Sequence, residues 1–573
     1  MKWTVKSLRE VGAFQWTIII IYAVTTVPWE WGNFGILVIA PRIPHWCRDA
    51  SPGFQNLTAE QQRQIMTSSG VVCQRPDVNF TAMTSDEILA ANFSAVPWVA
   101  CDQGVSYDHS EFDYTATEQY NLGCGKDWII SMANTIYMFG FLVASAASGA
   151  VADRFGRKTV LVASAILGAG AHLLAALAPG LVQFLVGRFI AAMCEIAAFT
   201  SASIFCMEFL RKDQRVVPPV ALAVIRAIGS AGFGALAMVV RNHQHIQLIV
   251  AACFLAGAVV NFCYFPKSPR WLMSQHRHDE ARAVLQRISA FNKQQTAINY
   301  ICSNYHHDDE ERPPPETRQV DRKATLLDLV RTRTLRKRTA VLCIMWFNLV
   351  LVSYVLTFNL GDFGPDVRTS IIIAAVFAFP ALVVTMCTVD RFGRQVSAFA
   401  FMLAAGVCCF AMGPLVGATD SPLLLALAIM GKLLCGNQYF IVYLYTPELY
   451  PTVIRTTGLG TASTVARVAG MLAPQISLLN RFWAPCLVVV LGFAGVVSAA
   501  LTPLLPDTTG YELPQSLEDG ERFRADHRYK LVLPRDFPLR CGTHSNKTKL
   551  EPPVAGQKDE GNEDQRLTNQ AEV

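Results

Sequence analysis

Charge is scarce in this sequence. Asp, Glu, Lys and Arg make up 16% of 573 residues, against about 25% in soluble globular chains. The four soluble domains that such a length suggests would lack water-facing surface. With 52% hydrophobic residues and a mean hydropathy of +0.30, the shortage points to a surface set in a bilayer instead. A net charge of +5 is too small and too diluted to imply a nucleic-acid partner. No GxxxxGK[ST] loop occurs; the nearest string, Phe155-Gly156-Arg157-Lys158-Thr159, lacks the glycine spacing, which argues against an ATP-driven pump. HExxH, GxSxG and paired intramembrane carboxylates are missing too, so no catalytic residue is assigned and an enzyme is not expected. No Cys or His pair has metal-ligand spacing, so neither a metal nor another cofactor is expected.

Apolar runs, in contrast, are abundant. A spanning helix needs about 20 mostly apolar residues, since each rises about 1.5 Å through a hydrocarbon core about 30 Å thick. Twelve stretches qualify: Phe14 to Ala40, Trp128 to Val151, Val160 to Ala178, Leu181 to Phe209, Val216 to Val240, Ile246 to Phe265, Thr339 to Leu360, Ser370 to Val389, Val396 to Val416, Pro422 to Tyr445, Gly458 to Leu479 and Phe482 to Leu505. The expected fold is an all-α polytopic membrane protein. Residues 1–266 form one six-helix half, 267–338 a linker with amphipathic helices, 339–505 a second half, and 506–573 a largely disordered tail. The basic residues Arg154, Arg157, Lys158, Arg211, Lys212 and Arg215 fall between alternate helix pairs, and Arg331 to Arg338 join them on one side. By the positive-inside rule both termini are cytoplasmic and the segment 41–127 is a large extracellular loop between helices 1 and 2.

That loop has 5 Lys and Arg against 11 Asp and Glu, and carries sequons at Asn56, Asn79 and Asn92, a glycosylation signal in an exported segment. Its Cys47, Cys73, Cys101 and Cys124 imply two disulfides in one of three pairings. Outside the spans, His306 to Glu311 precedes Arg312-Pro313-Pro314-Pro315 and reads as a solvated linker. The chain ends in Ala571-Glu572-Val573, a weak signal for a PDZ-type partner.

Charged signposts repeat along the chain. Gly149 to Lys158 reads GAVADRFGRK and Val389 to Gln395 reads VDRFGRQ, with Asp153 and Asp390 offset by 237 residues. Glu208 and Glu448, and Arg215 and Arg455, are each offset by 240. Repeated matches near one period imply two six-helix pseudo-repeats. Asp153 with Arg154 and Arg157, and Asp390 with Arg391 and Arg394, supported by Glu208 and Glu448, can form charge-assisted bonds across the cytoplasmic faces of the halves. Such pairs would latch that side in one state and part in another.

A DRFGR loop after helices 2 and 8 resembles the major facilitator superfamily. SPRWL at Ser268 to Leu272, ELYPTVIRTTGLG at Glu448 to Gly460, Phe14-Gln15 and the four-cysteine loop narrow the likeness. Together they resemble the organic cation, carnitine and organic anion transporter family of solute carriers. The chain departs from that pattern at Lys267, where the family usually has Glu, at Thr456, where it commonly has Asn, and in having four rather than six loop cysteines. The resemblance implies a plasma-membrane, multi-pass secondary transporter of a small organic ion, with Na+, H+ or an exchange solute as its coupling partner.

Ionisable residues within spans are costly and are therefore functional candidates. Glu30, Glu195, Arg226, Lys432 and Arg467 stand out, and Glu30 also fits snorkelling to the outer interface. Arg467 resembles the arginine of the carnitine and anion branches, and a guanidinium suits bidentate binding of a carboxylate. With Glu195 as a cation site, the pair fits a zwitterion such as carnitine; alternatively, Glu195 pairs internally with Arg226 or Arg467. Aromatics on helices 7 and 10, Tyr354 and Tyr443 above all, offer cation-π walls. The expected function is organic cation or carnitine-like transport; an organic anion transporter and a ligand receptor on a transporter fold are the alternatives.

Overall fold

The computed structural model describes residues 12–68, 73–93, 96–210, 214, 217–292, 326–364, 366–417, 421–451, 454–481, 483, 485–508 and 521. Arg215, the His306 to Glu311 tract and the chain's end lie outside them, as does the side chain of Asp390.

The first apolar stretch does not form one rod. It runs as α1 (Ala13–Thr25), α2 (Val27–Phe34) and α3 (Ile36–Ile39). Pro28 has no N–H to continue the ladder of α1, and the Thr26 hydroxyl instead donates to the Ala23 carbonyl at 2.7 Å. The rest of the first half is α4 (Trp128–Phe155), α5 (Arg157–Leu177), α6 (Leu181–Glu208), α7 (Val217–Val239) and α8 (His243–Tyr264). The second half comprises α9 (Arg333–Phe358), α10 (Val367–Met412), α11 (Pro422–Leu449), α12 (Arg455–Ile476) and α13 (Cys486–Leu501). Between the halves, Pro269–Ser274 and His278–Asn292 are helical, and residues 293–325 of the expected linker lie outside the described residues.

Among the described residues, ten helices are long and apolar enough to cross a membrane; α10 supplies two, Val367–Val389 and Arg391–Leu415. The two expected spans that fall short are the broken first stretch and α12, which is rich in Thr and Gly and carries Arg467. Outward-facing Val182, Val239, Phe262 and Phe493 are more than half exposed, the surface a lipid-immersed bundle presents.

The two DRFGR motifs share one backbone solution. Gly156 ends α4 at φ 92° and Gly393 bends α10 at φ 82°, conformations that L side chains rarely adopt. Small residues bring helices together elsewhere: an added Cβ at Gly187 would lie 3.0 Å from the Ala171 carbonyl.

The 41–127 segment is a small disulfide-bonded unit. Strand β1 (His45–Cys47) pairs antiparallel with β4 (Val105–Tyr107), and β2 (Gln74–Pro76) with β3 (Trp98–Ala100). Of the three possible pairings, Cys47–Cys101 and Cys73–Cys124 are the ones formed. Trp46, Phe54, Phe80, Ile88 and Phe93 form its apolar core, and Asn56, Asn79 and Asn92 are all exposed.

Candidate functional site

The broken first stretch puts α2 against the middle of the bundle, where α7, α9, α11 and α12 also meet. Glu30 on α2 pairs with Arg226 on α7 at 2.7 Å. Next to them, Phe34 packs on Tyr354 of α9 with ring centroids 6.5 Å apart, and the Lys432 ammonium of α11 lies 5.6 Å from the Phe34 centroid. Tyr443 stacks edge-on against the buried Trp346 at 4.7 Å and lies 4.9 Å from Tyr439. Tyr354, Tyr439 and Tyr443 all lie within electrostatic reach of Arg467 on α12. Although mid-helix, Tyr443 is 36% exposed and the Arg226 side chain 40%. Tyr439 lies within electrostatic reach of both Arg226 and Arg467, one from each half. The open surface is therefore that of a central cavity between the halves.

Its charge balance is uneven. Glu30 is taken up by Arg226, which removes the snorkelling reading of that acid. Among the described residues no carboxylate lies within 4.0 Å of Lys432 or Arg467, and Arg467 Nε donates to nothing. Three cationic side chains and one carboxylate leave a formal surplus of two positive charges, in a place where water only partly screens them.

Glu195 is not part of this cavity. It is 1% exposed, accepts from the Tyr137 hydroxyl and lies 3.0 Å from His172 Nε2. The backbone of α2 covers it so closely that an added Cβ at Gly32 would stand 1.9 Å from Glu195 Oε1. The zwitterion arrangement, with Glu195 facing Arg467, is thus not the one formed, and neither internal pair with Arg226 or Arg467 exists. Arg188, one helical face along α6, lies over the Tyr137 ring at 4.4 Å. Sequence reasoning missed Arg188, His172 and Phe34. The signal for His172 was a lone ionisable side chain in the run AGAHLLAAL.

Among the described residues, the conformational motifs form ion pairs inside each half. Arg157 binds Asp153 at 2.7 Å and Glu208 at 3.1 Å, while Arg394 lies 3.3 Å from Glu448. Arg154 lies over Phe155 and Arg391 over Phe392, and Arg455 donates to the Tyr450 carbonyl at 3.4 Å. The repeat extends to contacts: Ser268 donates to Glu208 and Thr508 to Glu448, again 240 residues apart. The SPRWL segment belongs to this cluster, since Trp271 Nε1 donates to the Asp153 carbonyl at 2.8 Å.

The halves meet at the opposite end, beneath the 41–127 unit. Arg42 pairs with Asp362 at 2.8 Å, and Gln475 of α12 donates to Thr135 of α4 at 3.0 Å. Arg241, after α7, and Arg368, on α10, both donate to the Glu111 carbonyl at 2.9 Å, so one stretch of the loop unit grips both halves. A cavity of about 390 Å³ lies here, bordered by Arg42, Asp362, Asp366, Glu111, Asn134 and Asn359. Burial raises the Asp362 carboxyl above its usual range, with Arg42 opposing. Glu111 is likewise raised by burial and by neighbouring Asp366.

Comparison with known proteins agrees with this architecture. The profile of the family described as "Sugar (and other) transporter" matches residues 89–514. The organic cation transporter protein of Drosophila melanogaster is 29% identical over 423 residues, covering 73% of this chain and 76% of that one. Solute carrier family 22 member 1 of Bos taurus is 28% identical over 537 residues, covering 90% and 92%. Solute carrier family 22 member 6 of Rattus norvegicus is 29% identical over 428 residues, covering 73% and 75%. The inward-open xylose transporter of E. coli superposes with a TM-score of 0.58 at 14% identity, over 89% of this chain and 99% of that one, which supports the major facilitator fold. The likeness to the organic cation, carnitine and organic anion transporters is borne out by these relatives.

Proposed function

This chain belongs to the sugar (and other) transporter family, and from that membership we propose that it is a secondary transporter of small organic anions working by alternating access. One observation carries the substrate class: among the described residues no carboxylate lies within 4.0 Å of Lys432 or Arg467 in the central cavity, while Glu30 is held by Arg226 and Glu195 is sealed away. A carboxylate or sulfonate restores the charge balance there, and the planar fork of Arg467 suits either group. The wall of Tyr354, Tyr439 and Tyr443, backed by the buried Trp346, favours a flat, apolar body on the same solute. The carnitine-like reading now rests on that wall alone, as a cation-π surface for an ammonium group.

All twelve stretches are spans in this reading, with the first and eleventh kept irregular or polar because they line the cavity. The loop unit is extracellular and glycosylated, both termini are cytoplasmic, and the protein resides in the plasma membrane. The exposed sequons and the two disulfides support this orientation. Ion pairs confined to each half at the motif end, with contacts between halves at the loop end, support rocking of one half against the other. The test is uptake into proteoliposomes of a labelled aromatic sulfonate, a quaternary ammonium and a carnitine-like zwitterion. Saturable accumulation of the sulfonate is expected. Selective accumulation of the ammonium overturns the anion reading, and saturable binding without accumulation of any solute turns it to the receptor.

A further inference from the structure

One buried set of ionisable groups plays no part in the central cavity. Glu195 and His172 face each other at 3.0 Å, with Tyr137 donating to the same carboxylate. All three are 3% exposed or less, as is Arg188, whose Nε and Nη2 have no partner. A carboxylate and an imidazole placed mid-span are costly to insert and are functional candidates by default. We propose that the Glu195, His172 and Tyr137 cluster is a proton-binding site that couples proton movement to transport of the organic anion.

The charges permit one extra proton. With His172 neutral, Arg188 and Glu195 cancel; a proton added to His172 Nε2 or to Glu195 Oε1 takes the cluster from neutral to +1 and is shared along the 3.0 Å contact. The groups facing it are few. Tyr137 comes from α4, His172 from α5, and Arg188 and Cys194 from α6; α9 brings Tyr354 within electrostatic reach of Tyr137, and α8 presents the uncharged Phe254, whose ring lies 5.1 Å from His172. From α2 Gly32 lies against the acid, and Glu30, the partner of Arg226, stands on the same short helix.

Two routes join this cluster to the cavity. Gly32 lies against Glu195 and sits between Glu30 and Phe34 in α2, so a change in the carboxylate is felt by the helix that holds both cavity residues. Tyr137 belongs to the buried group against which Tyr354 and Met471 of the other half pack. Proton uptake rearranges the hydrogen bonds of Tyr137 and thereby the contact between halves. One proton moving with one monovalent anion makes the cycle electroneutral, which suits a cavity that receives the anion into surplus positive charge.

The proposal rests on the anion reading, and the experiment separates the two. The full chain is reconstituted in liposomes and tested with tritiated toluene-4-sulfonate, an anion that stays ionised at every pH used, so a pH effect cannot come from the solute. With the membrane potential clamped, an acid exterior at pH 6.0 against pH 7.5 inside is expected to raise initial uptake about fivefold. Adding the sulfonate is expected to alkalinise the medium, read by an external pH dye in the wild type without any variant. In Glu195→Gln, gradient stimulation and proton flux vanish while sulfonate exchange at symmetric pH stays within twofold. Robust exchange by the wild type with neither gradient stimulation nor proton flux overturns the proposal and leaves the anion reading standing. Gradient-driven uptake that persists in Glu195→Gln also overturns it. Failure of the wild type to exchange the sulfonate overturns the anion reading and the coupling built on it.

Discussion

Replacing Arg467 with alanine removes one of two cavity cations that have no carboxylate within 4.0 Å among the described residues. At an effective dielectric near 20, a substrate anion about 4 Å from the guanidinium gains about 4 kcal/mol. Desolvation offsets part of that, and truncating one member of a buried, hydrogen-bonded charge pair typically costs about 2 to 5 kcal/mol. The cavity leaves Tyr443 36% exposed, so water takes over part of the lost contact and the lower figure applies. About 2 kcal/mol corresponds to a roughly 30-fold rise in the half-saturation concentration. Arg467→Lys keeps the charge without the two-pronged geometry, and a rise of about tenfold is expected. The assay is concentration-dependent sulfonate uptake normalised to surface protein by biotinylation. Arg467→Ala transport with both kinetic constants within twofold of wild type, at equal surface amount, refutes the role of this residue and the charge argument with it.

Other expectations follow from the same geometry. Gly32→Ala drives a methyl group into Glu195, and overpacking of this kind costs about 1 to 3 kcal/mol; a lower melting temperature of the purified protein and impaired transport are expected. Gly156→Ala and Gly393→Ala each force an L side chain into a left-handed backbone, a cost of about 1 to 3 kcal/mol that thermal unfolding in detergent will register, with the pair additive because the motifs lie in different halves. Asp362 and Glu111 are both raised by burial, so the state that buries them binds protons more tightly than one that opens them to water. Acid therefore favours closure of the loop end: modification by an impermeant thiol reagent of Ser131→Cys, which borders the loop-end cavity, should slow as pH falls through the range between the ordinary carboxylate value and the raised ones, when divided by the rate for the same cysteine in an Asp362→Asn background so that the thiol's own pH dependence cancels. Loss of the Cys47–Cys101 bridge by a double serine substitution removes about 2 to 5 kcal/mol from a small unit with few core residues, and reduced glycosylated protein at the cell surface is the readout.

Much of the fold was legible because its signals are local or periodic. Ten of the twelve apolar stretches are helices of spanning length and composition, and the DRFGR repeat predicted paired turns that Gly156 and Gly393 make in the same way. The two stretches that depart do so for a chemical reason: Pro28 interrupts one, and polar residues around Arg467 dilute the other. The cavity was partly legible as well. Arg467, Lys432, Arg226, Tyr354 and Tyr443 do come together, whereas Glu195 does not join them. The acids and arginines of the repeated motifs stand out in the sequence, but their ion pairs within each half, joined by Ser268 and Thr508, required the folded chain.

By itself the sequence determined that this chain is a two-part bundle of membrane helices with few internal charges, because hydrophobicity, repeat spacing and the conformational freedom of glycine are written residue by residue. Only the tertiary structure decided which of those charges meet. Pairing depends on how each helix is rotated about its axis and how closely its neighbours approach. Gly32 lets α2 close over Glu195 and turn Glu30 toward Arg226, and that single close approach separates a buried acid with its histidine from a cavity left with positive charge to spare.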